Sequence, residues 1–283
     1  MIVLAVALAA LAAMGSGVGS KLQHTGVRAE GLRSLKRLGA NRSWLLGLLI
    51  LSLCSLLQVF ALSFAPVIVV APLVVLALPV VAVLGQRLDQ SAGLAVSAVV
   101  LSIGLFVALS AGTATGATLA PTAVFTAAQL GIATAAALGV VAAFSRGVLR
   151  CAALSAAAGA SYGLVSVLVR DVASTVRIEG MAGLPWPSLT GAVVAFAAAA
   201  WLIQLGHVRG PPDLVVGCQT AVNPLVATTL GMTVLGESRH LDTATVVALA
   251  GCAVVAIAGI AVLARHHVLA TSSRRRIKYS RST

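Results

Sequence analysis

Two stretches of this 283-residue chain read alike. The first is Val70-Ala71-Pro72-Leu73, then Val83-Leu84-Gly85-Gln86-Arg87-Leu88-Asp89, then an apolar run. The second is Val222-Asn223-Pro224-Leu225, then Val234-Leu235-Gly236-Glu237-Ser238-Arg239-His240-Leu241-Asp242, then another apolar run. The offset is about 151 residues. A match at that distance points to one multi-helix unit present twice.

The composition says what solvent these units face. Hydrophobic residues make up 59% of the chain and charged residues only 9%, against roughly a quarter charged in a soluble domain. The outer surface must be apolar, so its solvent is lipid. Nine stretches are long enough to cross a bilayer and free of Asp, Glu, Lys and Arg: Met1–Ser20, Trp44–Ala65, Pro66–Gly85, Ala92–Ala111, Thr122–Phe144, Cys151–Val169, Ser188–Gly206, Leu214–Leu235 and Thr243–Ala264. Each is expected to be helical, because lipid offers an open backbone no partner. The first is read as a spanning helix rather than a signal peptide, since no Lys or Arg precedes Lys21. The four cysteines, Cys54, Cys151, Cys218 and Cys252, lie in apolar runs and read as small buried hydrophobes.

The net charge of +12 would suggest nucleic acid in a soluble protein. Here the basic residues lie in loops and the tail, where they orient helices and meet anionic lipid headgroups. With the N-terminus outside, 16 of the 19 fall on the cytoplasmic side. They lie in the first loop (Lys21 to Arg42), at Arg87, Arg146, Arg150 and Arg209, and in the tail from Arg265 to Arg281. Arg170, Arg177 and Arg239 are expected in outer loops. That places a multi-pass protein in the inner (plasma) membrane with its C-terminus in the cytoplasm.

The repeat and the helix count combine into an architecture. Residues 1–111 form a first four-helix repeat, 112–148 a linking fifth helix, 149–264 a second four-helix repeat, and 265–283 a basic cytoplasmic tail. Gly15-x-x-x-Gly19 in the first helix corresponds to Gly159-x-x-x-Gly163 in the sixth. The fold expected is an all-α membrane protein of about nine transmembrane helices, in two inverted four-helix repeats. The odd linking crossing inverts the second repeat, an arrangement that many secondary transporters use for alternating access.

Polar groups inside the spans are the candidates for a pathway. They are Gln58, Gln129, Tyr162, Gln204, Gln219 and Asn223, all neutral, and they are expected to face the bundle interior. Pro72 and Pro224 interrupt equivalent helices, and each frees a carbonyl that can bind substrate or kink the helix. Glu237 stands at an outer helix end, as an ion entrance, a coupling group or a structural residue, and Asp242 is a good N-cap for the last helix. The four glycines read as packing contacts, which also suit a homodimer. His266 and His267 beside Arg265 read as headgroup-facing. No metal-ligand spacing, phosphate loop or charged intramembrane pair supports an enzyme, and no cofactor is implied.

Several short motifs in order carry a family resemblance. They are Lys21-Leu22-Gln23, Trp44-x-x-Gly47, Ala61-x-x-x-Ala65-Pro66 and Val70-Ala71-Pro72-Leu73, then Gln219-x-x-x-Asn223-Pro224-Leu225, Gly236-Glu237 and Gly251-Cys252. Together they resemble the drug/metabolite transporter superfamily, in particular NIPA-type magnesium transporters and their EamA-like actinobacterial relatives. The resemblance implies a carrier. One departure is Gln86, where relatives have a glutamate that the second repeat keeps as Glu237. Three functions follow as expectations: a secondary carrier of a small metabolite, drug or cation; a magnesium or other divalent-cation transporter; and a non-transporting scaffold or lipid flippase of envelope synthesis. Hydrated Mg²⁺ prefers carboxylate oxygens, and the nine stretches contain none.

Overall fold

Lipid leaves a backbone no choice but to bond within itself, and the chain obeys. The computed structural model describes residues 1–30, 41–80, 90–111, 119–209, 212–237, 241–259 and 262, and they include helices and turns but no strand. The helices are α1 (Ile2–Glu30), α2 (Arg42–Phe64), α3 (Val67–Val80), α4 (Gln90–Ala111), α5 (Pro121–Phe144), α6 (Gly147–Glu179), α7 (Trp186–Arg209), α8 (Pro212–Thr233) and α9 (Thr243–Gly259). Six of these, α1, α2, α4, α5, α6 and α7, are long and apolar enough to cross a membrane, and α3 and α9 are shorter apolar helices. The molecule is a helical membrane protein. The tail 265–283, Gln86, Arg87 and Arg239 lie outside the described residues.

The helix ends follow from local chemistry. Asn41 caps α2, its side-chain oxygen accepting from the Trp44 N–H at 3.2 Å. At the far end Ala65 and Pro66 are extended, and Pro66 restarts the chain as α3 after a two-residue gap. In α3 the segment Ala71–Leu76 tightens to a 3₁₀ helix. Pro72 lies in its first turn and cannot donate the N–H that an α-turn would require there.

Helix α6 differs from its expected span. The apolar run Cys151–Val169 was bounded by Arg170, yet the helix continues to Glu179 and is 33 residues long. Arg170 and Asp171 therefore stand inside a helix, not in an outer loop, and both are buried. The physical reason is tertiary: each finds a hydrogen-bond partner on another helix. Two carboxylates, Asp171 and Glu179, thus lie within a helix long enough to span, where the apolar stretches were expected to hold none.

The core centres on α3. Val67, Ile68, Val69 and Val70 are each 0% exposed. Around them pack Ala5 and Ala9 of α1, Leu62 of α2, Val99 and Ile103 of α4, Val167 of α6, Leu230 of α8 and Leu249 of α9. Helix α1 packs on α2 and α3, while α6 packs on α5, α7 and α8. Helix α8 in turn lies against the 3₁₀ segment of α3. Helices α4 and α9 also meet: Ser102 Oγ donates to the Cys252 carbonyl at 2.5 Å, and Gly259 approaches Val99.

The glycine motifs are packing contacts, but their partners differ. A Cβ at Gly159 would lie 2.8 Å from the Gln219 carbonyl oxygen, and one at Gly163 2.8 Å from that of Asn223, so this pair seats α6 on α8. In the first half Gly15 and Gly19 face Cys54 and Leu51 on α2, and it is Gly17 that meets Ala77 and Val80 on α3. The motifs are alike in sequence and not equivalent in contact. Helix α5 lies at the periphery, and Gln129 on it is exposed, not turned to the bundle interior as expected. Its helix packs mainly on α6, which leaves the Gln129 face uncovered.

These contacts reverse the usual sign of a glycine substitution. Gly139→Ala on α5 adds a methyl with nothing within 4 Å, and is expected to stabilise by about 0.5–1 kcal/mol through helix propensity. Gly159→Ala is expected to destabilise by about 1–3 kcal/mol through overpacking. Thermal unfolding of the two variants in detergent checks the pair.

Candidate functional site

Helices α3 and α8, which carry part of the predicted pathway, are in contact. Pro72 is buried within the 3₁₀ segment and Pro224 is buried inside α8. Gln219 and Asn223, one turn apart on α8, are half-buried. The Asn223 side-chain oxygen is buried and accepts no hydrogen bond. An amide oxygen left unmet in a low-dielectric interior costs about 1–3 kcal/mol, so it marks a place where a donor is wanted.

Other candidates lie elsewhere. Gln58 is half-buried on α2. Tyr162 turns toward α7, where its ring meets Phe196 edge-on at 5.6 Å and 75°. Gln204 lies on α7, its side chain outside the described residues. Those three are not gathered at the α3–α8 contact by any hydrogen bond among the described residues.

At one end of the bundle the two halves are tied. Helix α3 starts at Pro66, which carries no side-chain cap, so the first amides of the helix lack intrahelical partners. Glu237 supplies them: the Val67 N–H donates to its Oε1 at 3.0 Å and the Ile68 N–H to its Oε2 at 2.9 Å. A carboxylate at a helix N-terminus also meets the positive end of the helix dipole. Burial pushes the Glu237 carboxyl above its usual range, while these two amides and the Arg170 charge pull it back.

Local backbone puts Glu237 there. After α8, Gly236 adopts φ 69°, a left-handed turn that other residues rarely take, and the Glu237 N–H folds back onto the Gly231 carbonyl at 3.1 Å. Gly231 leaves the space, since a Cβ on it would lie 2.7 Å from Glu237 Oε2. Beside this junction Arg170 Nη1 donates to the Leu62 carbonyl of α2 at 2.6 Å, and the Arg177 guanidinium lies 5.6 Å from the Phe64 ring centre. Asp242 caps α9 as expected, accepting from the Thr245 N–H at 3.2 Å and from its hydroxyl. Those bonds hold the Asp242 carboxyl below its usual range.

The sequence reading missed Arg170, Asp171 and Ser188. Asp171 Oδ2 accepts from Ser188 Oγ of α7 at 2.6 Å, with both side chains buried. A signal was present: the apolar pattern resumes after the charged pair as Val172-Ala173, too soon for a loop. Comparison with family models, with curated proteins and with solved structures gave no match.

The junction makes a stability test. Glu237→Gln keeps the shape but turns one acceptor into a donor facing an N–H, and is expected to cost about 2 kcal/mol. Arg170→Met is expected to cost about 1–3 kcal/mol by leaving the Leu62 carbonyl without its donor and removing a positive charge near Glu237. The double variant should lose less than the sum, because both act on one network. Unfolding midpoints of the three variants decide it, and strict additivity would show the two residues to be independent.

Proposed function

We propose that the protein is a secondary transporter of the drug/metabolite type, moving a small metabolite, drug or cation by alternating access. The observation that carries this reading is the α3–α8 pair. A helix interrupted at Pro72 packs on a helix containing Pro224, and the Asn223 oxygen beside that proline is buried without a donor. A helix broken where it meets its counterpart in the other repeat is where carriers bind their substrates; here α3 is broken, while α8, expected to be interrupted too, runs unbroken through Pro224. The repeated sequence supports a pseudo-symmetric reading, in which α3 corresponds to α8 and α4 to α9. Each of those pairs is in contact. On this reading α1–α4 and α6–α9 are two inverted units joined by α5, with nine crossings, the N-terminus outside and the C-terminus in the cytoplasm.

The substrate is read as neutral or weakly basic where it meets α8, since Gln219 and Asn223 offer amides there and no charge. The magnesium reading is weaker at this site. Both oxygens of Glu237 are already engaged by backbone amides, which leaves that carboxylate ill placed to gather a divalent cation.

The test is flux into proteoliposomes under a proton gradient, with amines, amino acids and Mg²⁺ assayed side by side. Uptake of an organic solute is expected, with a loss of about tenfold or more in Asn223→Leu, whose apolar side chain removes the acceptor. Mg²⁺ flux alone, lost in Glu237→Gln, would overturn the metabolite reading in favour of a divalent-cation carrier. No flux of any solute would favour the scaffold or flippase.

A further inference from the structure

A second feature lies away from the α3–α8 pair and does not depend on it. Helices α5, α6 and α7 enclose a groove of about 1380 Å³ on the side of the bundle. Its walls are apolar, with Ile132 of α5, Leu164 of α6 and Val194 of α7 among them. Toward the C-terminal end of α6 the lining changes. Asp171, Ser188 and, nearer the end of the helix, Glu179 face it, and no Lys, Arg or His is among its described lining residues.

Asp171 is the informative residue. It is 8% exposed, and Ser188, its hydrogen-bond partner, is 7% exposed. A hydroxyl donor satisfies one carboxylate oxygen but does not neutralise a charge, and a buried charge in a membrane protein is normally paired. The neighbouring cation does not serve: Arg170 is turned to Leu62 on α2, and Arg177 lies over Phe64. The groove thus joins a long apolar trough to a buried carboxylate with no countercharge on it among the described residues.

We propose that this groove binds a hydrophobic amine, its ammonium group on Asp171 and its alkyl body along α5 and α6. Three N–H donors match the Asp171 oxygens and the hydroxyl lone pairs of Ser188 and Thr175, which also lines the groove. The trough from Asp171 to Ser161 spans ten residues of α6, about 15 Å at the helical rise. A zwitterionic phospholipid fits less well, because its phosphate would face Asp171 and Glu179 together. Gly139 of α5 also lines the groove, and a side chain added there meets no atom within 4 Å, so it marks an open part of the trough.

The experiment is saturable binding of radiolabelled dodecylamine to the purified full chain in phosphatidylcholine nanodiscs. Asp171→Asn preserves shape and the bond from Ser188, and is expected to weaken binding by about tenfold or more. Gly139 lies about 22 Å along the groove from Asp171, so Gly139→Phe is expected to weaken octadecylamine while sparing dodecylamine, and dodecanol should not compete. Equal affinity in Asp171→Asn, competition by dodecanol as strong as by the amine, or displacement by phosphatidylethanolamine would each overturn the proposal. Should Asp171→Asn fail to fold, Gly139→Phe decides alone, and unchanged octadecylamine affinity in it would count against the site.

Discussion

The first amides of α3 have no partner of their own. Pro66 opens that helix and carries no side-chain acceptor, and the segment is buried on every side. Water cannot reach Val67 and Ile68, so the donors must be met from within the protein. Glu237 meets both from the other half of the chain. Much of the bundle is arranged around that need: Gly236 turns the backbone, Gly231 leaves the space, and Arg170 places a positive charge nearby. The core packs around the same residues, from Val67 to Val70.

The same constraint explains why the halves are joined at this end by polar contacts, while α6 and α8 within the second half meet by close backbone approach. In lipid there is little hydrophobic force between helices, so association rests on packing and interhelical hydrogen bonds. Gly159 and Gly163 provide the first by letting α6 settle on α8. Arg170 and Glu237 provide the second. In the carrier proposed above, this junction is the one that parts as the halves rock.

Legibility in the sequence followed the range of the interaction involved. Local signals read well: the start of α3 at Pro66, the cap at Asp242, the span of α5 to within a residue, and the glycines as packing positions. Hydropathy failed at α6, because a charged pair was taken as its end. Arg170 bonds a carbonyl 108 positions away, and Glu237 bonds amides 169 and 170 positions away. No local pattern encodes such partners. The repeat singled out α3 and α8 as equivalent helices, but it gave no hint that the glycine motifs face different helices, nor that Tyr162 turns to Phe196.

On the proposed carrier reading, the junction that holds the two halves together at this end must open. Spin labels at positions 64 and 177, where Phe64 and Arg177 now meet, report it directly in a bilayer, with the four native cysteines replaced. Rocking halves require two dipolar couplings, one strong and one weak, with Glu237→Gln shifting the population toward the weak one. A single strong coupling, unchanged by that substitution, would contradict a junction that opens.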